Sequence, residues 1–134
     1  CGIGLIDAGV GNDTVIGSAG DDLIQGGGGN DSLSGGDGND TFLVGGTGHG
    51  VDTILGGAGV DTILATAADT VIGLGRVAGV ERIDAGGFAG VSLQGTAAAD
   101  VLDFADAVLI GITAIDGAAG NDVITGGSGA DQIR

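Results

Sequence analysis

The chain has 134 residues, 33 of them Gly, with 18 acidic side chains against three Arg, a net charge of −15, and no Pro, Trp, Tyr or Met. That length suits one domain. So acidic a surface excludes nucleic-acid binding, which needs clustered Lys and Arg, and is repelled by an anionic membrane. Hydrophobic residues reach 43% but aromatics only 2%, which excludes an interior built on large rings, while regularly spaced Val, Ile and Leu argue against a flexible linker.

Cys1 is the single cysteine, so neither an internal disulfide nor a CxxC pair can form. There is no basic segment leading into an apolar one and no apolar run near 18 residues. The termini, CGIG and DQIR, read as the ends of a piece of a longer chain.

From Ala8 a nine-residue unit recurs: AGVGNDTVI, GSAGDDLIQ from Gly17, GGGGNDSLS from Gly26 and GGDGNDTFL from Gly35. A three-residue insertion, Val44–Gly46, precedes TGHGVDTIL from Thr47 and GGAGVDTIL from Gly56. Asp13, Asp22, Asp31 and Asp40 are therefore nine apart; Asp52 follows after 12 and Asp61 after another nine. Two residues beyond each Asp stands a large apolar side chain: Val15, Ile24, Leu33, Phe42, Ile54 and Ile63. Each unit divides into a six-residue glycine turn and a three-residue extended piece, whose central side chain alone points inward. Two units then make one coil, and the predicted fold is all-β, a right-handed parallel β-roll (β-solenoid) with two short strands per 18-residue coil.

From about Ala65 to Asp116 the glycine turn is lost. ADTVI (68–72), GVERI (79–83), GVSLQG (90–95), ADVLDF (99–104) and ITAID (112–116) read as strands of wider, metal-poor coils, with an inserted globule as the alternative. Ala97, Ala98 and Ala99 replace glycine before Asp100. Glu81 is expected to pair locally with Arg82 or Arg76, and Phe88 and Phe104 to fill a widened coil. GAAGNDVIT from Gly117 and GGSGADQIR from Gly126 restore the unit, with Asp122 and Asp131 nine apart and Ile124 and Ile133 as inward residues. Three segments result: 1–64, a roll of regular glycine turns; 65–116, degenerate coils; 117–134, a second repeat block.

At 18 residues per coil Asp13 stacks over Asp31 and Asp22 over Asp40, and bare carboxylates about 5 Å apart repel. A hard cation between the turns removes that penalty. Calcium accepts six to eight oxygens in flexible geometry, magnesium holds its water more firmly, and there is no Cys or His cluster for zinc. Asn12, Asn30, Asn39 and Asn121 read as turn formers bonded within their own turns.

The consensus G-G-x-G-x-D-x-U-x, with U a large aliphatic residue, resembles the calcium-binding nonapeptide of the RTX (repeats-in-toxin, haemolysin-type) family over eight units. The resemblance implies several calcium ions, each between one turn and the turn a coil later. The earlier turn gives carbonyls from its second and fourth places and its Asp; the later gives its first and third carbonyls and its own Asp. One site would then use Gly9, Gly11 and Asp13 with Gly26, Gly28 and Asp31. A second would use Ser18, Gly20 and Asp22 with Gly35, Asp37 and Asp40. A third would use Gly27, Gly29 and Asp31 with Thr47, His49 and Asp52, and a fourth Gly36, Gly38 and Asp40 with Gly56, Ala58 and Asp61. The last two hold only where the insertion at Val44–Gly46 bulges outward. Asp122 and Asp131 would find partners past Arg134 or in the degenerate stretch.

Catalysis finds few parts. His49, the only histidine, has no nucleophile nearby, and HExxH and GxSxG are both absent. The resemblance implies a non-enzymatic module of a larger secreted protein, a hydrolase or toxin, exported by the type I machinery of a Gram-negative bacterium and folding in extracellular calcium. The alternative is a structural stalk or lattice segment of a surface adhesin or surface-layer protein, with self-association or surface attachment.

Overall fold

Three-residue strands cannot hold themselves in place, so each must be bonded to a copy of itself from another coil. The computed structural model describes residues 4–46, 48–129 and 131–134. The expectations for Cys1, and for Thr47 as a carbonyl donor, concern residues outside these. The described residues form short strands and no helix, so none of their helices is long and apolar enough to cross a membrane.

One sheet stacks β1 (Leu5–Asp7), β3 (Leu23–Gln25), β5 (Thr41–Val44), β7 (Thr62–Ala65), β9 (Arg82–Asp84) and β12 (Val108–Ile110). The other stacks β2 (Thr14–Ile16), β4 (Ser32–Asp37), β6 (Asp52–Ala58), β8 (Val71–Ala78), β10 (Ser92–Gln94) and β13 (Ile115–Asp116). Every pairing is parallel, between strands one coil apart. This is the predicted β-solenoid.

The 18-residue coil holds only at the start. Leu5 pairs with Leu23 and Leu23 with Thr41, but Thr41 pairs with Thr62, Thr62 with Arg82 and Arg82 with Val108. The coil widens because its strands widen: Phe42 and Val44, Ile63 and Ala65, and Ile83 and Ala85 are all buried, two inward residues per strand segment instead of one. Val44 belongs to β5, so the extra chain is taken up after it, and the register recovers at Asp52.

The eight-residue β8 is where the stack changes shape. Its C-terminal half pairs with β6 (Ile54 opposite Val77), and its N-terminal half pairs with β10 (Ile72 opposite Leu93). The offset leaves room for a third strip, β11 (Val101–Asp103) against β14 (Val123–Thr125). The sequence reading missed the second half of β8 and all of β12, since neither GLGRVA nor VLI follows a recognisable turn.

The interior is a column of single side chains. Ile24, Leu33, Ile54, Ile63, Ile83 and Leu93 are almost fully buried, each contributing roughly 1.5–3 kcal/mol. Phe104 is buried as expected, whereas Phe88, at 41% exposure, fills nothing: it sits in a tight turn with its N–H bonded to Ala85 O. Ile133, at 48%, joins Ile115 only through an isolated bridge.

Ile63→Ala is expected to destabilise the protein by about 2–5 kcal/mol, against no more than about 0.5 for Val10→Ser at a position 90% exposed, as read by urea unfolding in calcium. Equal effects would mean that the inward column is misassigned.

Candidate metal centre

Each turn curls around its own aspartate. A Cβ on Gly35 would collide with the Asp40 carboxylate and sit 2.7 Å from the Gly56 carbonyl of the next coil, so this first place takes Gly although its φ is ordinary. The same contact joins Gly26 to Asp31, Gly56 to Asp61, Gly117 to Asp122 and Gly126 to Asp131. At the second place the requirement is conformational. Gly27 has φ +102° with its Cα against the Gly9 carbonyl, a combination closed to any side chain.

The turns meet in the pairs carried over from the resemblance. Gly28 N–H donates to Gly9 O (2.8 Å) and Gly11 N–H to Gly28 O (2.7 Å), while Gly26 lies beside Asp31. Gly20 N–H donates to Asp37 O (2.5 Å) and Asp37 N–H to Ser18 O (3.3 Å), with the Gly35 carbonyl against Gly17. In the pairs that span the insertion, the Gly29 carbonyl lies against Gly50, Gly38 N–H donates to Ala58 O (2.7 Å), and Gly36 stands opposite Gly57. Second- and third-place carbonyls therefore already accept one N–H along the stack rather than pointing freely outward. Their second lone pairs stay available. His49 is buried and turns its ring to Val71, Nε2 to O 2.8 Å.

The carboxylates form ladders. Asp31 Oδ1 accepts the N–H of Asp13 (2.9 Å), Asp52 that of Asp31 (2.9 Å), Asp40 that of Asp22 (2.8 Å) and Asp61 that of Asp40 (2.7 Å). The other oxygen, Oδ2, is buried without a partner on Asp13, Asp31, Asp40 and Asp61. Asp31, Asp40 and Asp61 are only 3%, 1% and 0% exposed. An unpaired buried carboxylate oxygen is costly and asks for a cation. Among the described residues no three acidic, His or Cys side chains converge on one point. A cation here must therefore draw most of its ligands from turn carbonyls, which suits calcium and not zinc. The donor set fits.

Electrostatics agree. Burial pushes Asp52 up to about 6, helped by the charge of Asp31 and opposed by the Asp31 N–H and by His49. Burial likewise raises Asp40, with the charges of Asp22 and Asp21 adding, and Asp61, with those of Asp40 and Glu81 adding; in each the N–H accepted from the coil before pulls the other way.

Several participants escaped the sequence reading. Glu81 does not pair with an arginine: its Oε2 accepts Asp61 N–H (2.8 Å) and extends that ladder, while Arg82 bonds Asp84 (2.5 Å) and holds its carboxyl below the ordinary value. The signal was present, since Ile83 follows Glu81 as Ile63 follows Asp61. Asp100 stands one coil before Asp122, whose Oδ1 accepts its N–H at 3.0 Å, so Asp122 does find a partner in the degenerate stretch. The Asn residues bond the next coil, not their own turn: Asn12 Oδ1 accepts from Asn30 (2.9 Å), Asn30 from Val51 (2.9 Å) and Asn39 from Val60 (2.8 Å).

Two outcomes test these turns. A carboxylate whose pKa is raised by folding leaves the fold unpenalised below about pH 4 and penalises it as pH rises through the folded value. For Asp52 that penalty accrues between about pH 4 and about pH 6. In a chelating buffer the far-UV β signal is therefore expected to fall between pH 5 and pH 7.5, and a rise would contradict the buried ladder. Gly35→Ala should destabilise by more than 1 kcal/mol, whereas Ala118→Gly, relieving an alanine at φ +67°, should stabilise by about 0.5–1 kcal/mol in thermal melts.

The family model of the RTX calcium-binding nonapeptide repeat, in four copies, matches residues 7–42, 42–72 and 111–134. No curated protein and no solved structure matches the chain. The matched stretches hold Asp13, Asp22, Asp31, Asp40, Asp52, Asp61, Asp122 and Asp131, and over more than half its length the chain carries the family's repeat. The chain belongs to the RTX calcium-binding nonapeptide-repeat family.

Proposed function

We propose that this calcium-binding repeat solenoid is a folding switch within a larger secreted protein. The observation that carries the reading is the set of buried, unpartnered Oδ2 atoms on Asp13, Asp31, Asp40 and Asp61, placed on turns that stack coil upon coil. Calcium would be held between the turns of Asp13 and Asp31, of Asp31 and Asp52, and of Asp40 and Asp61, with the turn carbonyls named above completing each set. It supplies charge neutralisation. The chain supplies the rest: paired carboxylates in register, glycines that let carbonyls approach, and N–H donors that fix Oδ1 of Asp31, Asp40, Asp52 and Asp61.

Segment 1–64 is the calcium-responsive part, 65–116 the metal-poor continuation and 117–134 a second repeat block. At low calcium, 18 acidic side chains repel and a core one side chain thick cannot hold the coils. In millimolar calcium the folded state alone binds, and mass action draws the chain into it. Such a module suits export as an unfolded chain through a type I channel of a Gram-negative bacterium, with folding outside. His49, the one histidine, turns its ring to a main-chain carbonyl rather than to a hydroxyl or thiol, which supports placing any chemistry in other parts of the parent protein. The parallel pairing that runs on through the calcium-poor coils favours a second reading, a constitutive stalk of a surface adhesin or surface-layer protein.

Far-UV circular dichroism during a calcium titration separates the two, with magnesium as control. A cooperative gain of β signal at sub-millimolar to millimolar calcium, absent with magnesium, is expected. A spectrum already folded in chelator would remove the switch and leave the stalk. In the same assay Asp31→Asn with Asp40→Asn should raise the calcium needed for half-folding roughly ten-fold.

A further inference from the structure

Among Asp13, Asp22, Asp31, Asp40, Asp61 and Asp100, what separates the open turns from the closed ones is the residue four positions earlier. Before Asp13, Asp31, Asp40 and Asp61 that residue is Gly9, Gly27, Gly36 and Gly57, all at positive φ, and in all four the Oδ2 is without a partner. Before Asp22 it is Ser18, and before Asp100 it is Thr96, neither at positive φ. There the main-chain N–H turns inward: Ser18 N donates to Asp22 Oδ2 at 2.6 Å and Thr96 N to Asp100 Oδ2 at 2.5 Å. The hydroxyls close on the same carboxylates, Ser18 Oγ at 3.1 and 3.3 Å and Thr96 Oγ1 at 2.8 Å.

A side chain at the second place takes the glycine conformation only under strain, as Ala118 does at φ +67°, and Ser18 and Thr96 do not take it. The peptide therefore takes the ordinary one, and its N–H and O–H fill the position toward which the open turns leave an oxygen bare. We infer that Ser18 and Thr96 are built-in substitutes for a cation: the turns of Asp22 and Asp100 close without calcium, while the glycine-only turns require it. The inference rests on the calcium reading above and deepens it, since it says which turns the ion serves. It makes Ser18 a residue that sets how many ions the first coils take, and it places a calcium-independent clasp in the second turn of the chain and another in the metal-poor coils.

The test is calcium binding by equilibrium dialysis, alongside folding during a calcium titration, for the whole chain and for Ser18→Gly, Ser18→Thr and Thr96→Gly. Ser18→Gly should bind one more ion per chain and need more calcium for half-folding, yet reach the parent's stability when calcium is saturating. Ser18→Thr should behave as the parent, and Thr96→Gly should repeat the gain at the second clasp. An unchanged ion count, with equal destabilisation at half-saturating and at saturating calcium, would make the hydroxyls simple turn formers and overturn the inference. So would glycine variants that stay unfolded in saturating calcium, because the ion would then not replace the clasp. A parent that binds no calcium sinks the calcium reading itself, an outcome distinct from a parent that binds it with an unchanged count in the variants.

Discussion

Carboxylates on successive coils stand one above another, each accepting the main-chain N–H of the coil before it. Everything else in the first four coils follows from this arrangement. It fixes Oδ1, leaves Oδ2 inside the turn, and demands a glycine where that oxygen meets the backbone. It also makes the fold electrostatically conditional, since like charges are gathered at low dielectric while only a thin aliphatic column holds the coils together.

The ladders have ends, and those ends divide the molecule. Asp13, Asp31 and Asp52 form one row, which stops where Asp52 meets the buried Leu74 of β8. Asp22, Asp40, Asp61 and Glu81 form the other, which reaches one coil further. Past these points hydroxyls meet some of the carbonyls, Thr70 bonding Ala67 O and Thr113 bonding Val91 O, both at 2.8 Å, and one carboxylate contact remains, Asp122 to Asp100. A neutral hydroxyl satisfies a carbonyl without importing charge.

Much of this was legible in the sequence where spacing alone decides the outcome. Nine-residue periodicity with an apolar residue two after each Asp determines strand, inward face and stacking, and the insertion could be recognised because Asp52 resumes the pattern. What was hidden depends on local geometry that periodicity does not encode. Glu81 replaces an aspartate with a longer arm, so the ladder crosses a 20-residue coil with a different residue type. Ser18 looks like a conservative glycine replacement, yet it reverses which group faces the carboxylate. The Asn side chains reach forward one coil while the Asp side chains reach back, and a consensus read one unit at a time contains neither direction.

A chain of identical repeats has a weakness: it can stack one coil out of step and lose little, since every coil then meets something much like its proper neighbour. Here successive coils differ in length. An 18-residue coil is followed by one of 21, and Asp61 meets Glu81 after 20. A slip by one coil would set a coil of 18 residues where one of 21 belongs, and one of 21 where one of 20 belongs. The interruption that blurs the repeat thus gives the solenoid a single way to close, in the manner of a key whose teeth are cut to unequal depth.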